Sequence, residues 1–271
     1  MQEWSCQSSK GKWIMDKLVI APQIVVYKNM LKDVAAIIDM IDSGNEIKWE
    51  KWYENGFRSS ADFNKNSGEE SSPLRDICEA FDYVSKDYME DYKADKGIWP
   101  SFIKNWSSYA FNKDIYQIDF FKYSHLAFKN MKWDSDLLMG YHVDEFEVDG
   151  VFKRQKNIVT INFYLNDDYE GGEICAYNKD LDISYRYKPV AGDAVVMPSA
   201  SPFFHAVKPF YTKDRYFLRL FITYDQGDNI VYSNYGESYS QKHHVGHEGE
   251  KDFIDKDFQF LKVNVKEIEV K

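Results

Sequence analysis

The hydrophobic pattern of this chain predicts a mostly β fold with supporting helices, a jelly roll with helices packed on one outer face. Three observations predict it. Aromatic residues reach 17%, with twenty Tyr and nineteen Phe, and aromatic and β-branched side chains suit a pleated, half-buried surface. Helical spacing is confined to the part of the chain before Ile115. From Ile115 onward, eight short apolar runs are separated by turn signals, and helices followed by a run of strands build a helix layer on a sheet.

Taken in order, Leu18 to Tyr27 reads as a strand. A helix follows from Leu31 to Ile41, because Val34, Ile37, Ile38 and Ile41 recur at helical spacing and Gly44 closes the pattern. Trp49, Trp52 and Tyr53 suggest another strand, and the Ser-, Asn- and Gly-rich stretch from Asn55 to Ser72 reads as a loop. Ser72 is a natural N-cap with Pro73 at the first helical position. The second helix runs to about Ala94 with Leu74, Ile77, Phe81, Val84, Tyr88 and Tyr92 on one face.

The eight later strands are Ile115–Tyr123, Gly140–Asp144, Asn157–Leu165, Gly172–Tyr177, Ser184–Val190, Ala194–Pro198, His205–Phe210 and Tyr216–Tyr224. Period-two alternation divides them into faces. Thr160, Asn162 and Tyr164 share one face, opposite Val159, Ile161, Phe163 and Leu165. Arg215, Phe217, Arg219, Phe221 and Thr223 share another, opposite Tyr216, Leu218, Leu220 and Ile222. The all-apolar faces are expected on the helices, and the mixed faces inside the barrel. Phe253 to Val265 suggests a docked C-terminal segment. The expected division is residues 1–114 as supporting strand and helices, 115–225 as barrel core and 226–271 as extension, all in one structural domain.

The net charge of −10 argues against nucleic acid as principal ligand, since phosphate binding needs a basic footprint. Cys6, Cys78 and Cys175 match neither a disulfide framework nor a zinc site, and read as free thiols in a reducing compartment. No signal peptide or membrane span is evident, so a cytoplasmic protein without a membrane partner is expected.

His142 and Asp144 lie two apart on an expected strand, so both leave the same face. His205 opens a later strand that a barrel can bring alongside. Two imidazoles and one carboxylate on one face of an octahedral ion leave three positions open, the ligand set of non-haem Fe(II) oxygenases. His243, His244 and His247 lie in a polar tail and read as a solvated loop.

The wider pattern around these ligands resembles the catalytic domain of the prolyl 4-hydroxylase-like 2-oxoglutarate/Fe(II) oxygenases. The matching pieces are His142-Val143-Asp144, Val159 to Asn166, Glu170-Gly171-Gly172-Glu173, Pro189 to Asp193, Phe204 to Pro209 and Arg215-Tyr216, in the family's order and at its spacings. The resemblance covers Ile115 to Asp225 and implies a double-stranded β-helix with N-terminal helices on the major sheet. It implies His142, Asp144 and His205 as catalytic iron ligands. It also implies Arg215 as partner of the distal carboxylate of 2-oxoglutarate, ten residues after His205, with Tyr164 and Tyr123 as further cofactor-binding candidates. Arg219, on the same face, is an alternative to Arg215 or a substrate contact.

The implied reaction hydroxylates a C–H bond of a peptidyl proline or a small amino-acid-like molecule. Its co-substrates are 2-oxoglutarate and O₂, its co-products succinate and CO₂, with ascorbate as a further cofactor candidate. The segments 124–138, carrying Trp133, and 145–156 flank the site and are expected to form a substrate lid or groove, with ordinary surface insertions as the alternative reading. Three other readings stand beside this one: a catalytically silent barrel, a nucleic-acid demethylase of the same superfamily, and a cupin with other metal chemistry.

Overall fold

The computed structural model describes residues 4–7, 14–21, 23–43, 50–53, 56–64, 72–92, 115–128, 139–142, 157–178, 183–199, 203–223 and 266–270. Two helices and two sheets organise them. The strands before the second helix are β1 (Trp4–Gln7), β2 (Ile14–Ala21), β3 (Ile24–Tyr27), β4 (Glu50–Tyr53) and β5 (Gly56–Asn64), with α1 (Val34–Asp42) between β3 and β4. After α2 (Pro73–Tyr92) come β6 (Ile115–Tyr123), a single helical turn α3 (His125–Phe128), β7 (Met139–His142), β8 (Asn157–Tyr164), β9 (Glu170–Gly171), β10 (Ile174–Asn178) and β11 (Ile183–Tyr187). The chain continues through β12 (Ala194–Pro198), β13 (Phe203–Val207), β14 (Phe210–Tyr211), β15 (Arg215–Thr223) and β16 (Lys266–Val270).

The larger sheet has the order β1-β2-β3-β12-β8-β15-β6-β5-β4 and the smaller one β16-β11-β10-β13-β7. Two sheets that divide the longer strands of the later chain between them make the expected jelly roll, and β9 and β14 pair as a separate two-stranded sheet. N-terminal strands and barrel strands share the larger sheet.

Alternation decides which side of each strand meets which layer. On β8, Val159, Ile161 and Phe163 pack with Ile37 and Ile41 of α1 and Ile77, Phe81, Val84 and Tyr88 of α2. Tyr164 turns the other way, into a second core shared with Ile174, Ala176, Tyr187 and Phe203 of the smaller sheet. On β15, Leu218, Leu220 and Ile222 join the helix side. The expected division of faces holds on both strands, and the helices lie on the outer face of the larger sheet. Replacing Phe163, fully buried between sheet and helices, with Ala should cost about 3–5 kcal/mol of unfolding free energy. Denaturant titration followed by circular dichroism checks this.

The helices begin where their caps dictate. Asp33 accepts from Ala36 N at 3.0 Å, so α1 starts at Val34 rather than Leu31 as its apolar spacing suggested. Ser72 accepts from Leu74 N at 3.3 Å and starts α2 as expected. The strand expected over Leu18–Tyr27 is a hairpin instead. Gln23 takes φ 61°, reversing the chain between β2 and β3, and its buried carbonyl receives the Tyr88 hydroxyl at 2.7 Å.

The loop expected from Asn55 to Ser72 is corrected over Gly56–Asn64, where β5 pairs along its whole length with β6; Asn55 and residues 65–71 lie outside the described residues. Ser- and Asn-rich composition favours turns locally, but a ladder to an already ordered strand satisfies the backbone there and prevails. The C-terminal segment Phe253–Val265 lies outside the described residues. The docked strand is β16, parallel to β11. It is held by pairs such as Lys208 with Glu267 at 2.9 Å.

Candidate active site

On the smaller sheet, Tyr141 packs with Cys175, Tyr177 and Ala206, and its hydroxyl lies 2.5 Å from Ser184 Oγ. Ala176 belongs to the core between the sheets, so the cluster around Tyr141 marks the outer face. Strand alternation then places position 142 on the inner face, along with His205, which alternates with Ala206. β7 and β13 are antiparallel neighbours with 142 directly opposite 205. Opposed positions on one face hold Cβ atoms about 4.5–5.5 Å apart, within reach of one ion. His205 is 8% exposed. Asp144 and the side chain of His142 lie outside the described residues, as do Trp133, the segments 129–138 and 145–156, and the tail histidines.

Arg215 opens β15 on the inner face and is 2% exposed. Its guanidinium carbon stands 5.2 Å from the ring centres of Tyr164 and Phe217 and 6.0 Å from that of Tyr169. Among the described residues no carboxylate pairs with it, and its Nε has no hydrogen-bond partner. A buried cation without a counter-ion is expensive, and aromatic faces offset only part of that cost.

The backbone at Arg215 is braced from both sides by one side chain. Asn166 donates from Nδ2 to the Asp214 carbonyl at 2.8 Å and accepts at Oδ1 from Tyr216 N at 2.8 Å. The Asp214 carboxylate accepts from His125 N at 3.2 Å and lies 2.8 Å from His125 Nδ1, which ties α3 to the same point. Asn166→Ala removes both braces. At about 0.5–1.5 kcal/mol per hydrogen bond, it should weaken binding of an anion at Arg215 roughly tenfold while the fold persists. Ligand titration with a thermal melt checks this.

Three tyrosines surround the guanidinium. Tyr123 is directly opposite Arg215 in the sheet and stacks on Phe217 at 5.7 Å. Tyr164, opposite Phe217, has its phenol pushed up to about 12 by burial despite the lowering effect of Arg215, so it remains a donor. Tyr169 was missed by sequence reasoning. Burial raises its phenol too. The nearby Arg215 guanidinium acts in the opposite direction, and among the described residues the hydroxyl has no partner at hydrogen-bond geometry.

The two inward arginines have different fates. Arg219 NH2 lies 3.3 Å from Asp119 Oδ2 and its guanidinium stands over the Phe121 and Phe221 rings. Its charge is already compensated, whereas Arg215 has no carboxylate partner among the described residues.

Tyr169 is held by its own turn. Gly171 and Gly172 adopt φ of +72° and +73°, and a Cβ on Gly172 would stand 2.6 Å from the Tyr169 ring. The glycine pair quoted among the motifs was a signal for a tight turn. Nothing in the sequence said that the turn would cover Arg215. Cys78 and Cys175 are buried and join no disulfide among the described residues, and burial pushes the Cys175 thiol up to about 12.

Residues 135–223 match the model of the 2OG-Fe(II) oxygenase superfamily. The resemblance read from the motifs is borne out over that segment, and the superfamily is one of 2-oxoglutarate-dependent oxygenases, the enzyme class expected. No curated protein matches the chain. Among solved structures, a prolyl-4-hydroxylase from Pseudomonas putida is 17% identical, with 79% of this chain and 93% of that one covered and a TM-score of 0.46. A prolyl hydroxylase from Trichoplax adhaerens, in complex with a hypoxia inducible factor oxygen degradation domain peptide fragment, is 14% identical, with 75% and 84% covered and a TM-score of 0.48. A viral collagen prolyl hydroxylase from Paramecium Bursaria Chlorella virus-1, in a 2OG complex, is 11% identical, with 74% and 96% covered and a TM-score of 0.45.

Proposed function

We propose that this chain, whose residues 135–223 are those of the 2OG-Fe(II) oxygenase superfamily, hydroxylates a C–H bond of a prolyl peptide or a small amino-acid-like molecule. Succinate and CO₂ are its co-products, and ascorbate is an accessory reductant. One observation supports the reading: a buried guanidinium with no carboxylate partner among the described residues, on the inner face of the larger sheet, while positions 142 and 205 lie on the inner face of the smaller one. Such a cation needs an anionic partner, and a planar guanidinium takes a carboxylate by two parallel hydrogen bonds.

His142, Asp144 and His205 would hold Fe(II), since two imidazoles and one carboxylate suit that ion and leave positions for a co-substrate and O₂. When bound, the ion supplies the activation of O₂. Arg215 binds the distal carboxylate of 2-oxoglutarate, and the Tyr164 hydroxyl, protonated at neutral pH, donates to the same group, with Tyr123 beside it. Phe217 and Phe121, stacked at 4.5 Å, keep water from the diacid. Asn166 orients the arginine by fixing the backbone on both sides of it. The segments 124–138 and 145–156 form the substrate groove in this reading.

The buried thiols of Cys78 and Cys175, which join no disulfide among the described residues, support a reducing compartment, and hence the cytoplasmic location. Among the described residues no helix is long and apolar enough to cross a membrane. The larger sheet shared by residues 1–114 and 115–225 supports a single structural domain.

The test is a screen of 2-oxoglutarate turnover against prolyl peptides and free amino acids, with His142→Ala as the blank. Substrate-dependent succinate release is the expected result. Absence of both iron uptake and succinate under every condition would leave a silent barrel as the better reading.

A further inference from the structure

The turn that carries Tyr169 holds a further cation that the iron and diacid reading does not use. Lys188 follows β11 and is half-buried. Its ammonium donates to the Tyr169 carbonyl at 2.9 Å and to the Gly171 carbonyl. It also lies 3.6 Å from the centre of the Tyr169 ring, the same ring that stands 6.0 Å from the Arg215 guanidinium carbon. One aromatic ring thus serves two cations.

We infer that Lys188 is a positioning residue of the anion pocket: it pins the 169–172 turn against Arg215 and adds its charge to the field that holds the distal carboxylate. This rests on the diacid reading above. The turn has little other freedom, because Gly171 packs on Pro209 and Gly172 on Tyr169 and Phe210. Two like charges brought together repel. They persist in the folded chain because two backbone carbonyls and three rings face them, and an arriving anion relieves the repulsion.

The charged groups around Lys188 agree with this. Burial first, and then the Arg215 charge, lower its ammonium to about 8, while Glu173 before β10 and Asp167 and Asp168 in the turn before β9 act in the raising direction. The sign follows directly. Below about 8 the ammonium is charged and the anion binds without proton exchange. Above it the free protein holds a neutral amine, and binding must take up a proton. Affinity therefore falls as pH rises through this value, by at most about tenfold per pH unit.

The experiment is calorimetric titration of 2-oxoglutarate into the anaerobic, Fe(II)-loaded full chain across neutral to alkaline pH. The wild type should weaken several-fold above the Lys188 transition. Lys188→Met should bind roughly tenfold more weakly at neutral pH and lose the alkaline transition, and Lys188→Arg should keep tight binding to higher pH because guanidinium stays charged. In turnover assays Lys188→Met should raise KM with kcat nearly unchanged, since the lysine touches no reacting atom.

An unchanged affinity and an unchanged pH profile in Lys188→Met would overturn the inference. If that variant fails to fold, Lys188→Arg decides alone: retention of the wild-type alkaline loss defeats the proposal. Arg215→Met separates this failure from that of the diacid reading. If it too leaves 2-oxoglutarate binding intact, the pocket is not the diacid site at all.

Discussion

Arg215→Met should weaken 2-oxoglutarate binding on the order of a hundredfold and yet raise the melting temperature of the ligand-free protein. The two effects have one cause. The guanidinium is buried with no carboxylate among the described residues to pair with it, so the ligand-free protein bears a desolvation cost of several kcal/mol. Contacts with three rings return part of this, about 0.5–2 kcal/mol each. Methionine fills comparable space without the charge. The bound diacid, in contrast, loses charge-assisted hydrogen bonds of about 1.5–3 kcal/mol each, and about 3 kcal/mol is near a hundredfold in affinity. Calorimetric titration and differential scanning calorimetry read the two effects separately. A variant that melts earlier and binds the diacid unchanged would show Arg215 to be structural only.

His142→Ala and His205→Ala should each abolish succinate release, by roughly a thousandfold or more, together with stoichiometric iron. The double variant should be no worse than either alone, because groups that act as one unit do not contribute additively. The basis is the register that sets 142 opposite 205 on the inner face. Elemental analysis of protein purified with Fe(II) reports the metal, and succinate release reports the activity. Turnover that survives His142→Ala would break the link between these two positions. His205→Ala should leave the fold intact, since removing one imidazole from the barrel interior opens a cavity no larger than that ring.

Much of the fold is legible in the residues because it is local. Ile77, Phe81, Val84 and Tyr88 announce a helix by spacing alone, and α2 buries those four. Val159, Ile161 and Phe163 announce the helix-facing side of β8 in the same way. What was misread depends on distant partners. The Ser- and Asn-rich β5 becomes a strand because β6 is there to pair with it. The single strand expected at Leu18–Tyr27 becomes a hairpin because Gln23 takes a left-handed conformation and Tyr88, far along the chain, meets its carbonyl. Asn166 was quoted within a motif, but its bracing of Arg215 involves a bond to a residue 48 positions away.

The residue types and strand parity determined by themselves that two histidine positions and two arginines would face the barrel interior, because alternation is a property of each strand taken alone. Which arginine has no carboxylate partner among the described residues was decided by tertiary structure. Asp119 neutralises Arg219 across a sequence separation of 100 residues, and the glycine turn lays Tyr169 over Arg215. Electrostatic compensation is set by register and by turns between strands, and neither is written in the period of a single strand.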